Sequence, residues 1–167
     1  MAPWADVLYA YDKEWWSKYH HTVRDFAGLK ISQSEAVMDP AWGLHQIKVM
    51  RGNDRLLLGT FGEVGWGGNS GFHALNLAVQ FGAKRVVLVG YDMHLDKGLH
   101  WHGRHGSGLC NPTRGNVARW RRVVDEAAPL LHEIGVEVLN ASPTSALTAY
   151  RKVDFASLFD ADAALAA

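Results

Sequence analysis

A chain of 167 residues is long enough for one domain with a buried core, and 48% of it is apolar. Its 17 basic and 17 acidic residues cancel, which removes any net electrostatic pull towards nucleic acid or an anionic membrane. The single cysteine, Cys110, excludes an internal disulfide, no apolar run approaches the ~20 residues of a membrane span, and the first residues lack a signal-peptide pattern, so a cytoplasmic protein is expected. The seven tryptophans are expected mostly in the core. Ala5 to Asp12 reads as a strand ending in an acid. Lys13 to Phe26 follows as a helix, with Asp12 as its cap and Trp15, Trp16 and Tyr19 on the inner side. Gly28 turns the chain into a strand at Leu29 to Ser32. Gln46 to Met50 is a further strand, closed by the turn Arg51-Gly52-Asn53-Asp54, and Arg55 to Phe61 reads as an extended hairpin arm. A loop from Gly62 to Gly71 carries Gly62, Gly65, Gly67, Gly68 and Gly71. The helix Gly71 to Phe81 is expected to turn its small residues Gly71, Ala74 and Ala78 to the sheet. Arg85 to Val89 has the continuous apolar character of a central parallel strand. Tyr91 to Asn111 is a long loop rich in glycine and histidine, of a length usually functional or mobile. Thr113 caps the longest helix, where Val117, Trp120, Val124, Ala127, Leu131 and Ile134 recur at spacings of 3 and 4. Pro129 kinks that helix, Gly135 ends it, Val136 to Asn140 is a strand, and Thr144 to Phe159 is a weaker helical segment. Residues 1–160 then form a single α/β domain, a parallel sheet with helices on both faces, and residues 161–167 a flexible tail.

The chemistry concentrates in two segments. Gly67-Gly68-Asn69-Ser70-Gly71 opens a helix, so free backbone N–H groups point outward at the positive end of the helix dipole. That is a ready site for a phosphate or carboxylate. Gly68, Asn69, Ser70 and Gly71 are therefore candidate nucleotide-binding residues, although the loop matches neither a Walker loop nor a GxGxxG fingerprint, and a tight turn feeding a helix is the plain alternative. Asp92 stands at the carboxyl end of the next strand, where open α/β sheets place ligand groups. The second segment holds His94, His100, His102 and His105. Imidazoles serve as acid–base groups near neutral pH or as metal ligands, with Asp92 and Asp96 able to complete a site. Their spacing matches no standard zinc motif, so a divalent metal is not expected, and a polar solvated loop is the alternative. His73, in the first turn of the loop helix, is expected neutral, as a hydrogen-bond donor to ligand or as a supporting residue. Of the basic run Arg114, Arg119, Arg121 and Arg122, Arg114 lies nearest the histidine loop and is the candidate phosphate contact, while the others suit a solvated face. Lys84 and Arg85 are expected exposed and Cys110 inert.

Asn69-Ser70-Gly71 with its helix, followed by Lys84-Arg85-Val86-Val87-Leu88-Val89-Gly90-Tyr91-Asp92, resembles the core of bacterial family-42 sialyltransferases. It is similar also to their 6-hydroxymethylpterin pyrophosphokinase-like relatives, a group with many small phage and prophage members. The similarity runs from about Pro3 to Leu158, and its specific part is Asn69 to Asp92. It implies a Rossmann-like fold and a nucleotide-sugar-dependent glycosyltransferase with a CMP-type donor. Asn69, Ser70, Gly71 and Asp92 would line the cytidine nucleotide pocket. His94, with His100 or Trp101, falls where two tyrosines of that family stabilise the departing phosphate. The family's basic histidine falls nearer Asn111 here, so His102 or His105 would take the acceptor proton. The family's opening strand and glycine-rich loop ending in Pro-Ser-Leu have no match, because the first residues fall on its second strand. A sheet lacking that strand exposes edges, which implies a homo-oligomer. A non-catalytic nucleotide-binding module and a structural or interaction protein retaining only the fold are the alternatives.

Overall fold

The computed structural model describes residues 3–33, 35, 39–96, 98 and 109–159. Strands and helices alternate: β1 (Val7–Tyr9), α1 (Lys13–Tyr19) with a 3₁₀ turn at His20–Val23, β2 (Leu29–Ser32), β3 (Leu44–Gln46), β4 (Lys48–Met50), β5 (Glu63–Gly65), α2 (Ser70–Gln80), β6 (Arg85–Leu88), α3 (Arg114–Glu126), α4 (Ala128–Glu133), β7 (Glu137–Asn140) and β8 (Arg151–Lys152). Every strand pairing among the described residues is parallel: β1 with β2, β2 with β3, β4 with β5, β6 with β7, and β7 with β8. The fold is therefore α/β with small parallel sheets. β3 and β4 are two halves of one bent strand. The Ile47 N–H donates to the Ser32 carbonyl at 2.9 Å and the Lys48 N–H to the Gly62 carbonyl at 2.8 Å, so the strand changes partner from β2 to β5 at Ile47.

The outer edge of β5 is closed by side chains of α2. Asn76 Oδ1 accepts from the Gly65 N–H at 3.2 Å and the Leu57 N–H at 2.9 Å, and Gln80 Nε2 donates to the Glu63 carbonyl at 2.7 Å. Both side chains satisfy backbone groups that a neighbouring strand would otherwise satisfy. Among the described residues β1 and β6 have no such cover. Leu29 N–H donates to the Asp6 carbonyl and Ala10 N–H to the Ile31 carbonyl, so by alternation the backbone groups of Val7 and Tyr9 face away from β2. No ladder among the described residues joins β1 to β6. A groove of about 950 Å³ opens beside β1, with Asp6 and Val7 on one wall and Ala78, Phe81 and Ala83 on the other.

α2 holds the two parts of the molecule together. Phe72 and Leu75 pack with Leu88, Val123, Val124, Leu131, Leu147 and Tyr150, while Leu77 packs with Ile31, Ile47 and Val64. Trp16 and Val23 form a third cluster with Trp42 and Leu44 around them. Each fully buried side chain of this size contributes about 1.5–3 kcal/mol. Among the described residues no helix is long and apolar enough to cross a membrane.

Several elements differ from the expectations above. The helix from Lys13 reaches only Tyr19 before tightening into a 3₁₀ turn. Arg55 to Phe61 is not a hairpin arm, since β4 and β5 are parallel and the segment runs irregularly alongside β5. β5 lies inside the glycine-rich stretch from Gly62 to Gly71. The small residues of α2 do not form its buried face: Ala74 is exposed, and Phe72, His73, Leu75, Asn76 and Leu77 are buried. β6 is an edge of its sheet and not a central strand, with Val89 exposed just beyond it. The long apolar stripe is interrupted at Ala127, between α3 and α4, as expected from Pro129, which has no N–H to continue the ladder. Thr144 to Phe159 is mainly ordered loop plus β8. There the Asp125 carboxylate accepts from the Thr148 and Ala149 backbone N–H groups, a non-local bond that replaces helical ones. Of the tryptophans among the described residues only Trp16 is buried, while Trp4 is exposed and Trp15, Trp42, Trp66 and Trp120 are half-buried. Residues 161–167, the expected tail, lie outside the described residues.

Candidate functional site

The carboxyl ends of β1, β5 and β6 converge on the amino end of α2. Asn69 caps that helix, its Oδ1 accepting the Phe72 N–H at 2.9 Å, and its Nδ2 donates to the Gly67 carbonyl at 3.4 Å. The Asn69 side chain thus builds the loop, and the N–H groups of Ser70 and Gly71 remain the outward-facing donors of the first turn. Gly67 and Gly68 have φ of +48° and +77°. A Cβ on Gly67 would lie 2.2 Å from the Phe72 ring, and one on Gly68 would lie 3.1 Å from Trp120 Nε1, so the loop is pressed between two aromatic side chains. What approaches Gly71 is the Tyr91 ring, whose hydroxyl donates to the Gly71 carbonyl at 2.8 Å. Burial pushes the Tyr91 phenol up to about 12, so it stays a donor throughout the physiological range.

His73 underlies this loop. Its Nε2 lies 2.6 Å from the Trp66 carbonyl, which can only accept, so Nε2 carries the proton and Nδ1 accepts from the Tyr9 hydroxyl at 2.9 Å. Both nitrogens are used inside the protein. The imidazole is held neutral, its pKa lowered to about 4 chiefly by desolvation. Neutrality was the expectation, but the cause is burial and not the helix terminus alone.

Three connected clefts surround this point. The first, of about 510 Å³, is walled by Tyr11, Trp66 and Trp120 and floored by Gly68, Asn69 and Ser70. Tyr11 meets Trp66 edge-on at 5.4 Å between ring centroids, and Arg51 and Arg119 stack over the Trp66 ring at 5.5 and 5.9 Å. A central cleft of about 250 Å³ shares Asn69, Pro112 and Trp120 with it and reaches Gly71, Asp92 and His94. A third, of about 1030 Å³, shares Met93, His94, Leu95 and Val117 with the central one and extends to Arg114, Arg121 and Thr144. Met93, between the central and third clefts, is the one non-glycine residue with positive φ (54°) among the described residues. Such strain concentrates at functional sites.

The candidates from the sequence divide accordingly. Gly68, Asn69 and Ser70 lie on the first cleft, and Asn69, Gly71, Asp92 and His94 on the central one. The Asp92 carboxylate accepts from the Thr144 hydroxyl at 3.1 Å. His94 Nδ1 accepts from the Asp96 N–H at 3.2 Å. Arg114 is the first residue of α3 and faces the third cleft, away from Gly68 and Ser70. His100, His102 and His105, with Trp101, lie outside the described residues. Tyr11, Trp66 and Trp120 escaped the sequence reading. Tyr11 sits in an apolar strand pattern and Trp120 in a helical stripe, so both imitate core positions. A search of family models, curated proteins and solved structures finds no match to this chain.

Proposed function

We propose that the first cleft holds a nucleotide or nucleotide sugar, and that the protein is a nucleotide-sugar-dependent glycosyltransferase of sialyltransferase type, with a CMP-type donor on a Rossmann-like plan. One observation carries the reading: the amino end of α2 opens into a cleft walled by three aromatic side chains at the carboxyl ends of parallel strands. The Ser70 and Gly71 N–H groups suit a phosphate, and Trp120 or Tyr11 suits a base. The central cleft joins this donor space to a second one, as a reaction between two substrates needs. Asp92 and His94 stand at that junction, within reach of a departing phosphate or an attacking hydroxyl. Calorimetric titration with CMP, CDP and other nucleotides, with and without Mg²⁺, tests the site. Stacking on an aromatic ring is worth ~1–3 kcal/mol, so Trp120→Leu is expected to weaken the best nucleotide by roughly 5- to 150-fold. Unchanged affinity in that variant, or no binding across the panel, sinks the assignment.

A second reading, nucleotide binding without transfer, is favoured by His73. It is the one imidazole on the aromatic cleft among the described residues, and both its nitrogens are sealed inside. Turnover of labelled CMP-sugar, compared between wild type and His94→Gln, separates the two. The free edges of β1 and β6 also support self-association. Sedimentation is expected to show a homo-oligomer that dissociates on dilution, and a monomer at all concentrations would remove this part.

A further inference from the structure

We infer that the third cleft, beside α3, is a separate anion subsite that takes the carboxylate or phosphate of an acceptor molecule. The acceptor role rests on the transfer reading above, whereas the anion affinity does not. α3 carries four arginines, and they divide into two kinds. Arg119 grips Asp54 through two hydrogen bonds of 2.6 and 3.2 Å, and Arg122 pairs with Glu126 at 2.7 Å. Arg114 and Arg121 make no ion pair or hydrogen bond among the described residues. They are two helical turns apart, so they share a face with roughly 10 Å between them along the axis. Both line the cleft of about 1030 Å³, together with the polar side chains of His94, Asp96 and Thr144 and an apolar wall that includes Met93, Val117 and Ala146.

Of the nearby carboxylates, Asp92 accepts from Thr144, and Asp96 lines the cleft at its solvent side with its side chain 89% exposed, where water screens its charge. Arginine cannot shed its charge by deprotonation, so the two guanidinium groups, unpaired among the described residues, present two planar donor forks. Such forks match the oxygens of a carboxylate or phosphate. The apolar wall displaces water from one side of a bound anion and strengthens the attraction. Through Met93, His94, Leu95 and Val117 the cleft continues into the central one. An acceptor anchored by its anionic group on Arg114 and Arg121 would therefore extend a hydroxyl towards His94 and Asp92, facing a donor on α2.

The test is titration of the whole protein with inorganic phosphate and, separately, with acetate, followed by NMR of the arginine Nε–H and backbone signals. CMP affinity is measured alongside. Saturable shifts at Arg114 and Arg121 are expected, with binding at least tenfold weaker in Arg114→Gln/Arg121→Gln and unchanged in Arg122→Gln. The two anions show which oxyanion is preferred. No saturable shift at either arginine in the wild type overturns the subsite. Equal loss of phosphate and CMP binding in the double variant also overturns it, because the arginines would then belong to the nucleotide site. Phosphate binding here with no nucleotide binding anywhere supports the anion site and overturns the acceptor role.

Discussion

Between pH 6.5 and pH 4 the protein is expected to lose about 3 kcal/mol of stability through one side chain, His73. The buried imidazole has its pKa lowered to about 4, against 6.5 for the unfolded chain. Above pH 6.5 both states are neutral there and His73 contributes no pH dependence. As the pH falls below 6.5 the unfolded state gains a proton that the folded state does not, so stability declines, and the decline stops once the folded imidazole is protonated below about 4. Burial is the cause. The ring is 1% exposed and donates to the Trp66 carbonyl, and a charge there would be stripped of water. Urea unfolding of wild type and His73→Gln at a series of pH values checks this. The difference between the two curves should grow by roughly 3 kcal/mol towards pH 4, in favour of the variant. Parallel curves would assign the acid sensitivity to other groups.

Phe72→Ala is expected to cost about 3–5 kcal/mol and to weaken nucleotide binding as well. Phe72 is fully buried in the largest core cluster, so its removal leaves a cavity among Leu75, Leu88, Val123 and Val124. The same ring supports Gly67 from beneath, and its N–H is the donor that Asn69 caps. Truncation therefore loosens the loop that shapes the aromatic cleft. Phe72→Leu should retain most of both properties, because it keeps an apolar side chain under the loop. Denaturant midpoints and CMP titration on the two variants measure the effect. A stable Phe72→Ala protein with full affinity would show that core and loop do not share this ring.

What could be seen in the sequence was whatever local chemistry decides. The Thr113 cap and the strand Leu29 to Ser32 each follow from neighbouring residues, and each is found. The amino end of α2 and the strand-end acid Asp92 were legible for the same reason. Distant partners were not. Nothing near Thr148 announces that Asp125 will take its N–H, and nothing near Asn76 announces that it will bond the backbone of Gly65. β5 is three residues long and hidden among glycines, so its existence depends on pairing with β4. The aromatic walls come from separated positions, Tyr11, Trp66 and Trp120, that only the tertiary fold brings together.

α2 is the element on which both halves of the molecule depend. It places Leu75 in one apolar cluster and Leu77 in another, and no ladder among the described residues crosses between β1 and β6. Coupling between the halves therefore passes through α2 and through the Arg119–Asp54 hydrogen bonds, with no shared strand ladder among the described residues to carry it. A ligand seated on the first turn of that helix would bind only when the helix is formed and docked on both sides. Its binding energy would then add to the coupling between two unfolding units, so ligand occupancy would govern whether the protein melts in one step or two.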